Sequence, residues 1–180
     1  MQEHIQGTFS SYLETKTYDT QYRAQFVRIT EDIQSAVARS SIVQGTVTVQ
    51  THHTTASLWI NEDEKNLIGP SEVLGYEADL RKVLDRFADP MHEYGHNDIA
   101  DGANVSGKRN THLCAPDEHG VIHECVNGHA HAQALLFHTS LTCIVDKARV
   151  LLGQWQQIML VELDHNRTRT VSILVQGVLG

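Results

Sequence analysis

The sequence has no run of about 18 apolar residues, the length a membrane-spanning helix requires. Its opening, Met1 to Gly7, lacks the basic stretch and apolar core of an export signal, so a cytoplasmic location is expected. Basic residues are scarce. Against 22 Asp+Glu there are 14 Lys+Arg, a net charge of −8, which argues against nucleic acid or an anionic membrane as the main partner. Cysteine is scarce and odd in number: Cys114, Cys125 and Cys143. Without export, a disulfide framework is not expected. The ten residues between Cys114 and Cys125 fit no zinc-finger spacing, and Cys143, in an alternating apolar run, reads as a buried small hydrophobe. Repeats, low-complexity tracts, a Gly-rich phosphate loop and a Gly-x-Ser-x-Gly nucleophile elbow are all missing.

What is abundant is histidine. Of twelve, eight fall between His92 and His138. The 180 residues suit one domain able to bury a core without staples. A Thr-rich stretch from Thr8 to Val27 predicts one or two strands. Thr30 before Glu31 and Asp32 reads as an N-cap with acidic first-turn residues, opening a short helix whose apolar face is Ile33, Ala36 and Val37. Gly45 restarts the chain as an alternating strand, Thr46 to Thr51, whose period puts His53 on the face of Val47 and Val49 and His52 on the other. Pro70 and Ser71 open a longer helix with a stripe of Val73, Tyr76, Leu80, Val83 and Phe87, ending near Asp89-Pro90.

From Met91 to Gly128 periodicity dissolves, too long a stretch for an idle loop. The last third predicts strands around Leu141–Val145, Ile158–Leu163 and Val171–Val175, joined by turns at Asp146-Lys147 and Asp164-His165-Asn166. Short turns favour antiparallel pairing. The expected fold is α+β, mostly antiparallel sheets with two or three helices, over 1–180, with a His/Cys-rich insert at about 92–124.

Three segments carry chemistry. In His52 through Glu62, His53 can bind a metal or move a proton, and Glu62 can hold a metal or orient a ligand; equally, Thr54 and Thr55 are ordinary strand formers and Asn61 a turn cap. In Asn127 through Gln133, His129 and His131 share a face if extended, but point about 200° apart in a helix. In Leu152 through Asp164, Gly153 marks a bulge or close approach. Trp155, flanked by Gln154 and Gln156, forms either a pocket wall or a packed strand residue.

Together these segments closely resemble the YjbQ-type family: His53-Thr54-Thr55-Ala56-Ser57, then Ile60-Asn61-Glu62, then His131, then Leu152-Gly153 through Asp164, within a match over residues 5 to 177. The resemblance implies an α+β homotrimer and a secondary thiamine-phosphate synthase activity, often regarded as a side reaction, joining an aminopyrimidine methyl diphosphate to a thiazole phosphate. It also implies a divalent metal held by His53 and His131; His129, an extra histidine by which this chain departs from the family, is a third candidate ligand, and zinc is the expected metal. Asn61 and Glu62 would position or activate a phosphorylated substrate, with Thr54, Thr55, Trp155 and Gln156 lining its pocket.

One departure is that Gln133 stands near a lysine of many relatives, and Lys108-Arg109 in the insert is its possible substitute for phosphate binding. Within the insert, His92/His96 and His119/His123 have helical ligand spacing, but Gly95 and Gly120 argue for loops. Two other readings share the site: a metal-dependent hydrolase or lyase with Glu62 as base, and a non-enzymatic metal- or ligand-binding trimer.

Overall fold

The computed structural model describes residues 6–69, 77–97 and 126–180. The expected α+β architecture is observed. Strands β1 (Phe9–Asp19) and β2 (Gln25–Arg28) precede helix α1 (Thr30–Ser40), then β3 (Ile42–Thr51) and β4 (Ala56–Glu62). Helices α2 (Lys65–Ile68), α3 (Asp79–Phe87) and α4 (Gly128–Gln133) follow, then β5 (Ser140–Asp146), β6 (Arg149–Val150), β7 (Gln156–Glu162) and β8 (Thr168–Leu179). The strands form two antiparallel sheets, one in the order β1-β8-β3-β5-β6, the other β2-β7-β4. No helix among the described residues is long and apolar enough to cross a membrane.

Alternation in the sequence decides which faces are covered. Val47 and Val49 of β3, Cys143 and Val145 of β5, and Val171, Ile173 and Val175 of β8 all point inward. They share one apolar cluster with Ala56 and Leu58 of β4, Ile158 and Leu160 of β7, and Ile33, Ala36 and Val37 of α1. Each fully buried Ile in it contributes about 1.5–3 kcal/mol. The opposite face of β7, Met159 and Val161, meets Phe26, Ile68, Leu84 and Ala130 in a second cluster beneath the short helices. Strand β7 is therefore buried on both faces, which is why its sequence runs apolar without alternating.

The outer face of the five-stranded sheet stays uncovered in the single chain. It presents Leu13 and Thr15, Ser172 and Leu174, Thr46 and Thr48, Thr142 and Ile144 in neighbouring register. Between its ends that face carries no charged side chain.

Several expectations need correction. Thr30 does not cap α1; its hydroxyl accepts the Ile158 N–H (2.8 Å), tying the helix start to β7 instead. Strand β3 begins at Ile42, not Gly45. Gly45 sits opposite Gly177, where a Cβ would lie 2.0 Å from the Gln176 carbonyl oxygen. In α3 the buried side chain is Leu84, while Val83 and Phe87 are about half exposed at 51% and 50%. The reason is α4: the fully buried Gln133 donates to the Leu84 and Ala88 carbonyl oxygens at 3.1 and 3.0 Å, so that side of α3 faces inward. Pro70 to Tyr76 and residues 98–125 lie outside the described residues, including most of the expected insert with His112, His119, His123, Cys114, Cys125, Lys108 and Arg109.

Candidate functional site

Strand β4 carries the first motif, and its two halves end up far apart. Ala56 pairs with Glu162 and Glu62 with Gln156, so His53-Thr54-Thr55 and Asn61-Glu62 flank opposite ends of the β4/β7 ladder. Six residues of strand put those ends about 20 Å apart. One end holds Asn61, Glu62, Trp155 and Gln156; the other holds His53, Thr54 and Thr55, with α4 and its histidines packed beyond the end of β7.

The histidine end is built on a buried ion pair. Glu162 lies on the inward face of β7, fully buried, and Arg169 of β8 meets it with both Nη2 and Nε (Nε to Oε2, 2.5 Å). Thr20 also donates to Glu162 at 2.9 Å, as does the Asp164 N–H at 2.9 Å. Two charges at the mouth of an apolar sandwich are tolerable only with such complete pairing. Arg169 also donates to the Thr55 hydroxyl at 3.1 Å, and Thr55 is 5% exposed. The Thr55 side chain is thus committed to this network, whereas Thr54 is exposed in the adjoining bend.

Asp164 anchors a second layer. It accepts from His165 Nδ1 (2.6 Å), Asn127 Nδ2 (3.1 Å) and Arg167 Nη2 (3.0 Å). Burial works to raise its pKa, but these donors outweigh that and hold it at about 2. His165, in the turn after β7, is oriented by this carboxylate. Asn127 begins α4 without a side-chain cap: its Nδ2 donates to Asp164, which turns the buried Oδ1 away from the helix N–H groups.

The histidines differ in state. His53 Nε2 accepts the Thr170 N–H at 2.8 Å, so the neutral ring carries its proton on Nδ1 and presents a donor. Burial and the nearby Arg169 lower its pKa. A metal on Nε2 would have to displace that N–H. His52 is exposed on the other face, 2.8 Å from the Ser172 hydroxyl, as the strand period predicts.

His129 and His131 both lie inside α4, so they diverge rather than share one side. His129 is 5% exposed, and neither of its ring nitrogens makes a hydrogen bond of ordinary geometry. Burial and Arg23 lower its pKa, against a weaker upward pull from Asp164 and the Leu163 backbone. His131 meets His96 from the short 3₁₀ turn Gly95–Asn97, ring centroids 4.5 Å apart. His92, the spacing partner of His96, packs on Tyr94 instead. Local spacing could not reveal the His96–His131 pair, because 34 residues separate the two in the chain. Glu162, Asp164 and Arg169 were legible in principle: acids on the inward period of a strand, followed by arginine across a turn.

At the opposite end, Asn61 Oδ1 accepts the Glu62 N–H (2.7 Å) and Gln156 Oε1 accepts the Gly153 N–H (2.7 Å). The close approach expected at Gly153 is thus made by Gln156. Trp155 sits in the turn before β7, 65% exposed, and so is not a packed strand residue. The packed tryptophan is Trp59, in edge contact with Phe137 at 5.6 Å. Among the described residues no group of three His, Cys, Asp or Glu side chains is placed to hold a metal ion.

Comparison with known proteins accords with this architecture. A family model described as UPF0047 protein YjbQ-like matches residues 14–178. A UPF0047 protein of Methanothermobacter thermautotrophicus is 26% identical over 158 residues, 88% of this chain and 87% of that one. The UPF0047 protein YugU of Bacillus subtilis is 25% identical over 165 residues, 92% and 99% of the two chains. Among solved structures, a YbjQ-like protein of unknown function from Sulfolobus solfataricus superposes with TM-score 0.71 at 24% identity, over 94% of this chain and 99% of that one. A hypothetical protein from Aeropyrum pernix gives TM-score 0.68 at 26% identity, over 92% and 98%. With the model matching nearly its whole length, the chain belongs to the UPF0047, or YjbQ-like, family.

Proposed function

We propose that the chain is a metal-dependent small-molecule enzyme whose chemistry resembles secondary thiamine-phosphate synthesis, with the metal held at the histidine end. The observation that supports this is the His96–His131 pair. Two imidazoles on one zinc, with Zn–N bonds near 2.0–2.1 Å, have ring centroids about 5 Å apart, and these two stand at 4.5 Å. His53 fits better as a donor than as a ligand, since its Nε2 is engaged. His129 is kept neutral by burial, the form in which imidazole binds a metal, but it lies on the other side of α4. A divalent cation at His131 and His96 would neutralise a leaving diphosphate. His53 Nδ1–H would then donate to substrate with Thr54 beside it, whereas Asn61, Glu62, Trp155 and Gln156, about 20 Å away along the ladder, would position it only from a second copy. The assembly is a homotrimer, for which the uncharged outer sheet face offers a contact surface.

The test is turnover of the pyrimidine diphosphate and thiazole phosphate by purified protein, with metal content measured in parallel. His131→Ala should lose both metal and turnover. Equal turnover in the two proteins would remove His131 from the mechanism.

One observation favours the hydrolase or lyase reading. Gln133 is buried against α3, and Arg23, Arg167 and Arg169 are each held by a carboxylate, so none of these groups is poised to receive a phosphate. Activity on lactone, amide or ester substrates without synthase turnover would select that reading.

A further inference from the structure

The separation of the motif halves has its own consequence. Asn61, Glu62 and Gln156 lie about 20 Å of strand from His53, across the β4/β7 ladder. No side chain spans that gap, so one substrate cannot touch both ends within a single chain. The two ends also differ in chemistry. Around Glu62 the surface is acidic: Arg28 pairs with Glu31 and Asp63 rather than with Glu62, which stands exposed. At the other end the carboxylates are already neutralised by arginine, Glu162 by Arg169 and Asp164 by Arg167. What is left there to meet an acid is imidazole.

The acidic end also carries an unpartnered apolar patch. Ile144, Leu151 and Trp155 are 60%, 53% and 65% exposed. The first two are neighbours, joined by the Leu151 N–H to Ile144 carbonyl bond at 2.8 Å. An exposed pair of aliphatics, with an exposed Trp four residues on in the chain, is the composition of a contact surface, not of a solvated turn. A patch of this kind at one end, with a different surface at the other, suits a head-to-tail contact, which closes into a ring when the rotation allows.

We propose that the site is completed between copies of this chain: the Trp155–Glu62 end of one copy docks on the His53–His131 end of the next. The Trp155 ring and Glu62 carboxylate of one copy then face the imidazoles of its neighbour across a shared pocket. The proposal rests on the reading above in treating both ends as parts of one site.

The experiment places the photoreactive residue p-benzoylphenylalanine at position 155, or in a second preparation at position 62, and irradiates the purified full-length protein. It needs neither metal nor turnover, so its failure is separable from failure of the enzymatic reading. The expected result is a band at twice the chain mass on a denaturing gel, its cross-link mapping by mass spectrometry to residues 52–55, 127–131 or 163–167 of the second chain. Unlinked monomer only, or a cross-link from both positions to some other surface, would overturn the shared site. Position 62 guards against local misfolding at 155, because each position must independently report the same neighbour.

Discussion

Imidazole protonation is the residue-scale property with the most direct consequence. His129 and His53 are both held below the ordinary histidine pKa, first by burial and then by Arg23 and Arg169 respectively. In the unfolded chain both titrate near about 6.5. Below that value the unfolded state takes up protons that the folded state resists, so stability falls as pH drops, and above it neither group contributes a slope. The melting temperature should therefore decline from pH 7 toward pH 5, and His129→Leu should flatten part of that decline. A variant that melts with the unchanged pH slope would show that His129 is not the buried neutral group described.

The Glu162–Arg169 pair makes a second prediction at this scale. Removing one partner strands a charge in the sandwich, so Glu162→Gln should cost about 3–5 kcal/mol in chemical denaturation. Glu162→Met combined with Arg169→Met should recover much of it. This pair also marks a limit of sequence reading. That Glu162 shares the inward period of Ile158 and Leu160 was legible from alternation. That the inward position is stable depends on Arg169, Thr20 and Thr55, drawn from three other segments.

Among the elements, those readable from sequence are those whose burial follows a single local period. Helix α1 and strands β3, β5 and β8 were legible for that reason. Helix α3 was not, because its buried side is chosen by Gln133 of α4, a partner remote in sequence. The β5–β6 hairpin shows the converse, a turn whose residues contradict its geometry. Lys147 and Ala148 both adopt positive φ, 50° and 58°, between the paired Asp146 and Arg149. Two-residue hairpins of this kind favour Asn-Gly, since other residues strain at positive φ. Replacing Ala148 with Gly should raise stability by about 1 kcal/mol, read as a higher denaturation midpoint. At Gly45 the change runs the other way: Gly45→Ala drives a Cβ into the Gln176 carbonyl oxygen, and the variant should melt well below the parent.

For the whole molecule, the layering leaves one broad surface unexplained by the chain alone. The inner sheet faces meet each other and α1, and the short helices cover the far side of β7. The outer face of the five-stranded sheet remains, built of Thr, Ser, Leu and Ile, in a chain with 20% charged residues. A solvated antiparallel face normally carries charge, partly to prevent pairing with other molecules. Leaving charge off the middle of β1, β8, β3 and β5 is consistent with a face that is covered in the proposed trimer. Ile144 is the residue to change, since it belongs both to that face and to the apolar patch with Leu151. Its side chain is 60% exposed in the single chain, so Ile144→Glu introduces no buried charge into the core and should leave the circular dichroism spectrum intact. Across an interface between copies, however, the same carboxylate is desolvated without a partner. The expected outcome is a fall in solution mass from oligomer to monomer by light scattering, with the fold preserved. An unchanged oligomeric mass would place the interface elsewhere on the molecule.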